Sequence, residues 1–225
     1  MATVIFELLP LIVGATAVPL YPIVVLLFLL QDTGGLAKAL SFVAGGIAMR
    51  LLQGLFFGLV LGAAVGESSE EGQRLGVFIL LLIVGILLLI TAFKKWQKEE
   101  DPDAPPPRWM AAISGMSAVR AVGAGALYLA IAVKQWVFTL SAIGLISEAG
   151  LGESAGVGLY LFYVVATQML VLPPILVYAV APQRADRVLK AAQTWLERHD
   201  RTILVSVSLV FGVWFSYKGI TGLIG

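Results

Sequence analysis

Apolar residues fill this chain in six long blocks, at about 3–30, 36–65, 74–93, 118–146, 154–181 and 202–224, with short polar stretches between them. A helix needs roughly 20 apolar residues to cross a hydrocarbon core. The pattern therefore predicts an all-α membrane protein of about six transmembrane helices. The separators are turn-like or charged: Gln31-Asp32-Thr33-Gly34-Gly35, an acidic loop at 66–73, a linker at 94–108, an acidic turn at 147–153 and a charged segment at 182–201. The linker contains Pro105-Pro106-Pro107, which lack the N–H donors that a helix interior uses.

Within the charged segment, Val188, Leu189, Ala192, Trp195 and Leu196 share one helical face, while Arg184, Arg187, Lys190 and Arg198 lie elsewhere. That predicts an amphipathic helix over 182–200, lying in the membrane interface near anionic head groups. Lys38, Lys94, Lys95, Lys98, Arg108, Arg184, Arg187, Lys190, Arg198 and Arg201 all fall on one side of a six-span arrangement, with only Arg74 and Lys218 at the opposite ends. Because basic residues favour the cytoplasmic side, the expectation is a multi-pass protein of the cytoplasmic (inner) membrane with both termini outside. Residues 1–6 carry no Lys or Arg, and the first block is long and holds three prolines. It reads as a retained helix, not a signal peptide.

The chain also aligns weakly with itself. An offset of 115 sets Ala17-Val18-Pro19 against Ala132-Val133-Lys134, and Gly35 against Gly150; an offset of 127 sets Arg74 against Arg201 and Gly85 against Gly212. This divides the chain into a first three-helix repeat at 1–96, a cytoplasmic Pro-rich linker at 97–109 and a second three-helix repeat at 110–225. Two halves with an odd number of spans are inverted relative to each other, which is the plan of many secondary transporters, with the substrate near the midplane between repeats.

Composition narrows the function. Apolar residues make up 59% and charged residues 13% of the chain, at a mean hydropathy of +0.94, which soluble domains do not show. A net charge of +1 without a basic stripe gives nucleic acid nothing to bind. With no cysteine, thiol redox chemistry and disulfides are excluded.

Against this apolar background a few residues stand out. Pro10, Pro19 and Pro22 each remove a backbone donor from the first helix, so it is expected to be kinked or broken, with the Pro19 to Pro22 stretch a candidate cavity wall. Lys134, followed by Gln135 and Trp136, lies in the middle of the fourth block. Arg50 lies on the order of 18 Å along the second helix from Lys38, also near mid-membrane. No Asp or Glu lies equally deep. Either an anionic substrate compensates these cations, or freed carbonyls and Gln53, Gln135 and Gln168 do so. The same lack of acids argues against a metal pathway and supplies no metal site. Catalysis is not expected, since Lys134 and Ser141 are two turns apart, about 10 Å. No phosphate-binding Gly-rich loop is present, so no ATP hydrolysis and no cofactor are expected. Small residues on the second and fourth helices favour close packing and are compatible with a homodimer.

Three stretches carry a family likeness: Ala17-Val18-Pro19-Leu20-Tyr21-Pro22-Ile23, Lys134-Gln135, and Trp195-Leu196-Glu197-Arg198-His199-Asp200-Arg201. On these the chain resembles the GAP family of glycolipid- or sulfolipid-addressing membrane proteins, within the lysine-exporter superfamily. The resemblance implies six helices in two inverted triplets and the export or surface delivery of a glycolipid or similar amphiphile. Lys134-Gln135 stands where the family has an Asn-Pro-Lys-type motif; the Asn and Pro are missing, which leaves a break in the fourth helix open. The implied transporter would use Lys134 and Arg50 on an anionic head group, with Gln135, Pro19, Tyr21, Pro22, Gln53 and Gln168 around it. Two other readings remain: an exporter of amino acids or similar small polar metabolites, marked by an enclosed polar cavity, and a non-transporting scaffold subunit of a lipid-synthesis or secretion complex.

Overall fold

A computed structural model describes residues 2–31, 33–65, 70–97, 112–113 and 115–224. The described elements, in chain order, are α1 (Ala2–Thr16), α2 (Leu20–Leu29), α3 (Gly35–Val65), α4 (Glu70–Gln97), α5 (Ala118–Ile131), α6 (Val133–Glu148), α7 (Glu153–Ala166), α8 (Leu172–Val180) and α9 (Pro182–Ile224). Among the described residues all regular structure is helical. Most of the linker at 97–109 and the middle of the acidic loop at 66–69 lie outside them.

Gly35–Gly58 of α3 and Arg187–Ile224 of α9 are each long and apolar enough to cross a membrane. So are two bent pairs: α1 with α2, bent by 58°, and α5 with α6, bent by 72°. Membrane character thus holds at two to four spans by length and composition.

Three apolar blocks are interrupted where continuous helices were one option. The first breaks at 17–19, with Pro19 as the N-cap of α2. Pro22 does not break anything. It sits in the first turn of α2, where an N–H would have no helical acceptor. The fourth block breaks at Ala132, whose ψ of 89° leaves the helical region. The fifth breaks over 167–171, and α8 restarts with prolines in its first turn, a signal in Pro173-Pro174 that the apolar pattern concealed. Conversely, the charged segment and the last block are one helix of 43 residues. Residues 183–211 contain neither Gly nor Pro, so nothing separates an interfacial helix from the span that follows. Its apolar face is also divided: Ala185 and Leu189 are buried in a cluster with α2, α3, α5 and α8, whereas Val188 and Trp195 face outward.

A second cluster joins α1, α4, α6, α7 and α9 around Leu8, Phe138, Tyr163 and Phe215. Two pairings rest on glycine. A Cβ on Gly45 or Gly125 would overlap the carbonyl oxygen of Val122 or Phe42, so α3 and α5 cross with their backbones in contact. Gly85, Gly212 and Gly219 bring α4 and α9 together in the same way.

Candidate functional site

In a helix the carbonyl of residue i accepts from the N–H of residue i+4. Pro19 has no N–H, so the Ala15 carbonyl loses its partner. It accepts instead from Gln135 Nε2 at 3.0 Å, reaching across from α6. Where α5 ends at the Ala132 bend, the last carbonyls are orphaned in the same sense. Leu129 accepts from Gln53 Nε2 at 3.3 Å and Ala130 from Trp136 Nε1 at 2.7 Å. At the third break the Val164 carbonyl accepts from Thr167 Oγ1 at 2.8 Å and from Gln168 Nε2 at 3.4 Å. The three glutamines of the apolar blocks therefore share a task, since each satisfies a carbonyl beside a break. Such backbone persists in an apolar surrounding only when the protein supplies those partners.

Gln135 alone also contacts a cation. Its Oε1 accepts from Arg50 Nη2 at 2.6 Å. Arg50 is 3% exposed, and its Nη1 donates to Thr139 Oγ1 at 3.0 Å and Tyr163 OH at 3.3 Å. The guanidinium lies 5.7 Å from the Tyr163 ring centre, and its Nε has no partner. Every group bonded to this buried charge is neutral. The Arg50 carbonyl accepts from Tyr160 OH at 2.6 Å, so one residue of α3 ties to both α6 and α7.

Lys134 points the other way. Its Nζ donates to Ser208 Oγ of α9 at 3.2 Å, and it forms part of the wall of a cavity of about 530 Å³. The rest of the wall is Val18 and Leu20 at the first break, Leu87, Leu88 and Thr91 of α4, Tyr128, Ile131 and Ala132 at the second break, Gln135, Val137 and Leu204. Lys134 is the charged member of that lining. Leu20, Leu87 and Ile131 are 37%, 45% and 68% exposed, so the cavity opens to the outer surface between α2, α4 and the end of α5.

The structure thus gathers Lys134 and Gln135 into the cavity wall and seats Arg50 behind Gln135. Pro19 lies between the lining residues Val18 and Leu20. Tyr21 is buried one layer back, stacked on the lining residue Tyr128 with ring centres 5.6 Å apart, and its OH donates to Gln168 at 3.4 Å. Pro22, Gln53 and Gln168 do not line the cavity. Sequence reasoning missed Tyr128, Thr139, Tyr163 and Ser208. The available signals were spacing: Thr139 one turn after Gln135, and Tyr163 beside Tyr160 on one helical face.

The stretch Trp195 to Arg201 lies on α9 beside the end of α4. Asp200 pairs with Lys95 at 3.2 Å, and Arg201 donates to the Trp96 carbonyl in the last turn of α4. His199 stacks on Trp195 and bonds its carbonyl, both on the outer surface.

Among known proteins, neither a curated protein nor a solved structure matches the chain. A family model does, over residues 8–221, and its description is Sap, sulfolipid-1-addressing protein. With that match spanning all three helix breaks, the cavity beside the first two and the Trp195 to Arg201 stretch, the chain belongs to the sulfolipid-1-addressing protein family.

Proposed function

We propose that this protein moves an amphiphile with an anionic head group, a lipid or glycolipid, toward the outer face of the cytoplasmic membrane, with Lys134 holding the head group. One observation carries this reading: Lys134, the charged residue of the described lining, stands in the wall of a largely apolar cavity that opens among outward-facing Leu20, Leu87 and Ile131. A charged amine in such a place costs a few kcal/mol on insertion scales, and one serine hydroxyl at 3.2 Å offsets little of it. A sulfate, phosphate or carboxylate would offset more of it, through a charge-assisted bond. The opening leaves the acyl tail in an apolar surrounding throughout.

A small polar metabolite would call for several convergent polar groups in a closed site, and the opening to the outer surface favours the amphiphile instead. The family description, with its sulfolipid, supports the same substrate class. In this reading the two halves are inverted three-helix repeats, with α4 and the α7/α8 pair completing six spans. The breaks support that plan, since Ala17 and Ala132 stand 115 residues apart, the offset at which the halves align. Movement of the α2 and α6 half-helices about those breaks would open the cavity to one side and then the other.

The test compares lipids at the cell surface and metabolites in the medium by mass spectrometry, in cells lacking the protein and in cells carrying wild type, Lys134→Arg or Lys134→Ala. The expected result is loss of an anionic lipid from the surface, restored by wild type, partly by Lys134→Arg and not by Lys134→Ala. Loss of a soluble metabolite instead would favour the small-molecule exporter, and no change in either pool would overturn export.

A further inference from the structure

Resting on the transport reading, one feature of the site remains without a role: a guanidinium buried among neutral partners, one layer behind the cavity. Retaining such a charge is costly, and a neutral network would satisfy Thr139 and Tyr163 equally well. What a cation adds is direction. Its charge-assisted bond at 2.6 Å holds the Gln135 amide with Oε1 toward Arg50. The amide's other end, Nε2, must then face the Ala15 carbonyl that Pro19 has released, and it does so at 3.0 Å. A flipped amide would set oxygen against oxygen. Gln135 is also the third residue of α6, directly after the Ala132 bend and beside Lys134.

We propose that Arg50 is a positioning residue for the cavity: acting through Gln135, it holds the break at Pro19 and the break at Ala132 in one fixed relation, with Lys134 facing the cavity. The face of α3 that carries it serves both halves. Gln53, three residues on, takes the Leu129 carbonyl at the second break, and Gly46, four residues before, leaves room for the Tyr21 hydroxyl. A shift of either break strains the same amide, so the two cannot move independently while Gln135 holds both Arg50 and the Ala15 carbonyl.

The test is hydrogen exchange by mass spectrometry on the full chain in lipid nanodiscs, a readout that needs no substrate. Arg50→Gln and Gln135→Leu should each speed exchange about tenfold at residues 12–20 and at 129–136, segments that do not contain Arg50. The double variant should exchange no faster than either single one, because one acts through the other. Gln135→Glu keeps an acceptor for Arg50 and loses the donor for Ala15, so exchange should rise at 12–20 and stay unchanged at 129–136. Arg50→Lys, which retains the charge with one donor group, should fall between wild type and Arg50→Gln and serves if the latter does not fold. Unchanged exchange at 12–20 in Arg50→Gln or in Gln135→Glu, or effects that multiply in the double variant, would overturn the linkage. Lys134→Ala separates the two readings. If it leaves lipid delivery intact while exchange behaves as expected, transport fails and the linkage stands; the reverse pair of results removes the linkage and leaves transport.

Discussion

Lys134 sets function against stability. Lys134 stands in the wall of a largely apolar cavity, with the Ser208 hydroxyl as its hydrogen-bond partner and the Asp200 carboxylate acting on it from further off, so its burial holds the empty protein below its attainable stability. Lys134→Met should raise the unfolding free energy by about 1 kcal/mol while abolishing lipid delivery, read as a higher thermal midpoint in nanodiscs beside the surface-lipid assay. Gln53→Leu should act in the opposite direction. It leaves the buried Leu129 carbonyl unpaired and should lower stability by about 1–3 kcal/mol in the same melt. Lys134, Arg50 and the glutamines were legible in the sequence because a charge or amide inside an apolar block has no ordinary reason to be there. The hydroxyls were not. Several threonines in such blocks bond back along their own helix, as Thr91 does to Leu87 at 2.7 Å and Thr221 to Tyr217 at 2.9 Å. Only its spacing from Gln135 marks Thr139, and nothing in the sequence marks Ser208 as one that reaches across.

At the scale of the helix, the two bends of the site arise from different causes. Pro19 enforces the first by covalent structure, and it could be read from the sequence. The second falls at Ala132, a good helix former, and is held by a tertiary bond from Gln53 to the Leu129 carbonyl and a local one from Trp136 to the Ala130 carbonyl. A missing proline therefore did not mean a straight helix. The continuous α9 was obscured by the reverse error, in which a change of polarity was read as a change of element. Glycine contacts give the sharpest expectation here. Gly125→Val pushes a side chain into the Phe42 carbonyl and should cost at least about 3 kcal/mol, separating α3 from α5. Gly58→Ala, with open space around it, should be neutral or stabilising by up to about 1 kcal/mol. Thermal melts of both variants in the same lipid check the contrast.

For the whole molecule, the opening to the outer surface is what distinguishes this cavity from a closed polar pocket. Leu87→Trp at its mouth should reduce lipid delivery several-fold without loss of folded protein. Val213→Trp, also outward-facing but away from the cavity, should have no effect. Equal losses from the two would mean that bulk on the outer surface, and not the opening, is what matters. The placement of the breaks was partly visible in the weak self-alignment, because Ala17 and Ala132 were already set against each other. The cavity was not, since it is formed by α2, α4, α5, α6 and α9 together and its wall is mostly apolar residues of no individual distinction.

The length of α9 makes it a lever. At 43 residues it extends about 65 Å, roughly twice the thickness of a hydrocarbon core. Ser208, which holds Lys134, lies about 39 Å along it from residue 182. With Ser208 as the fulcrum, a tilt of about 5° swings the far end by about 3 Å. Because Ala185 and Leu189 are buried against α2, α3, α5 and α8, such a tilt would reach the whole of that cluster, far along the helix from Lys134.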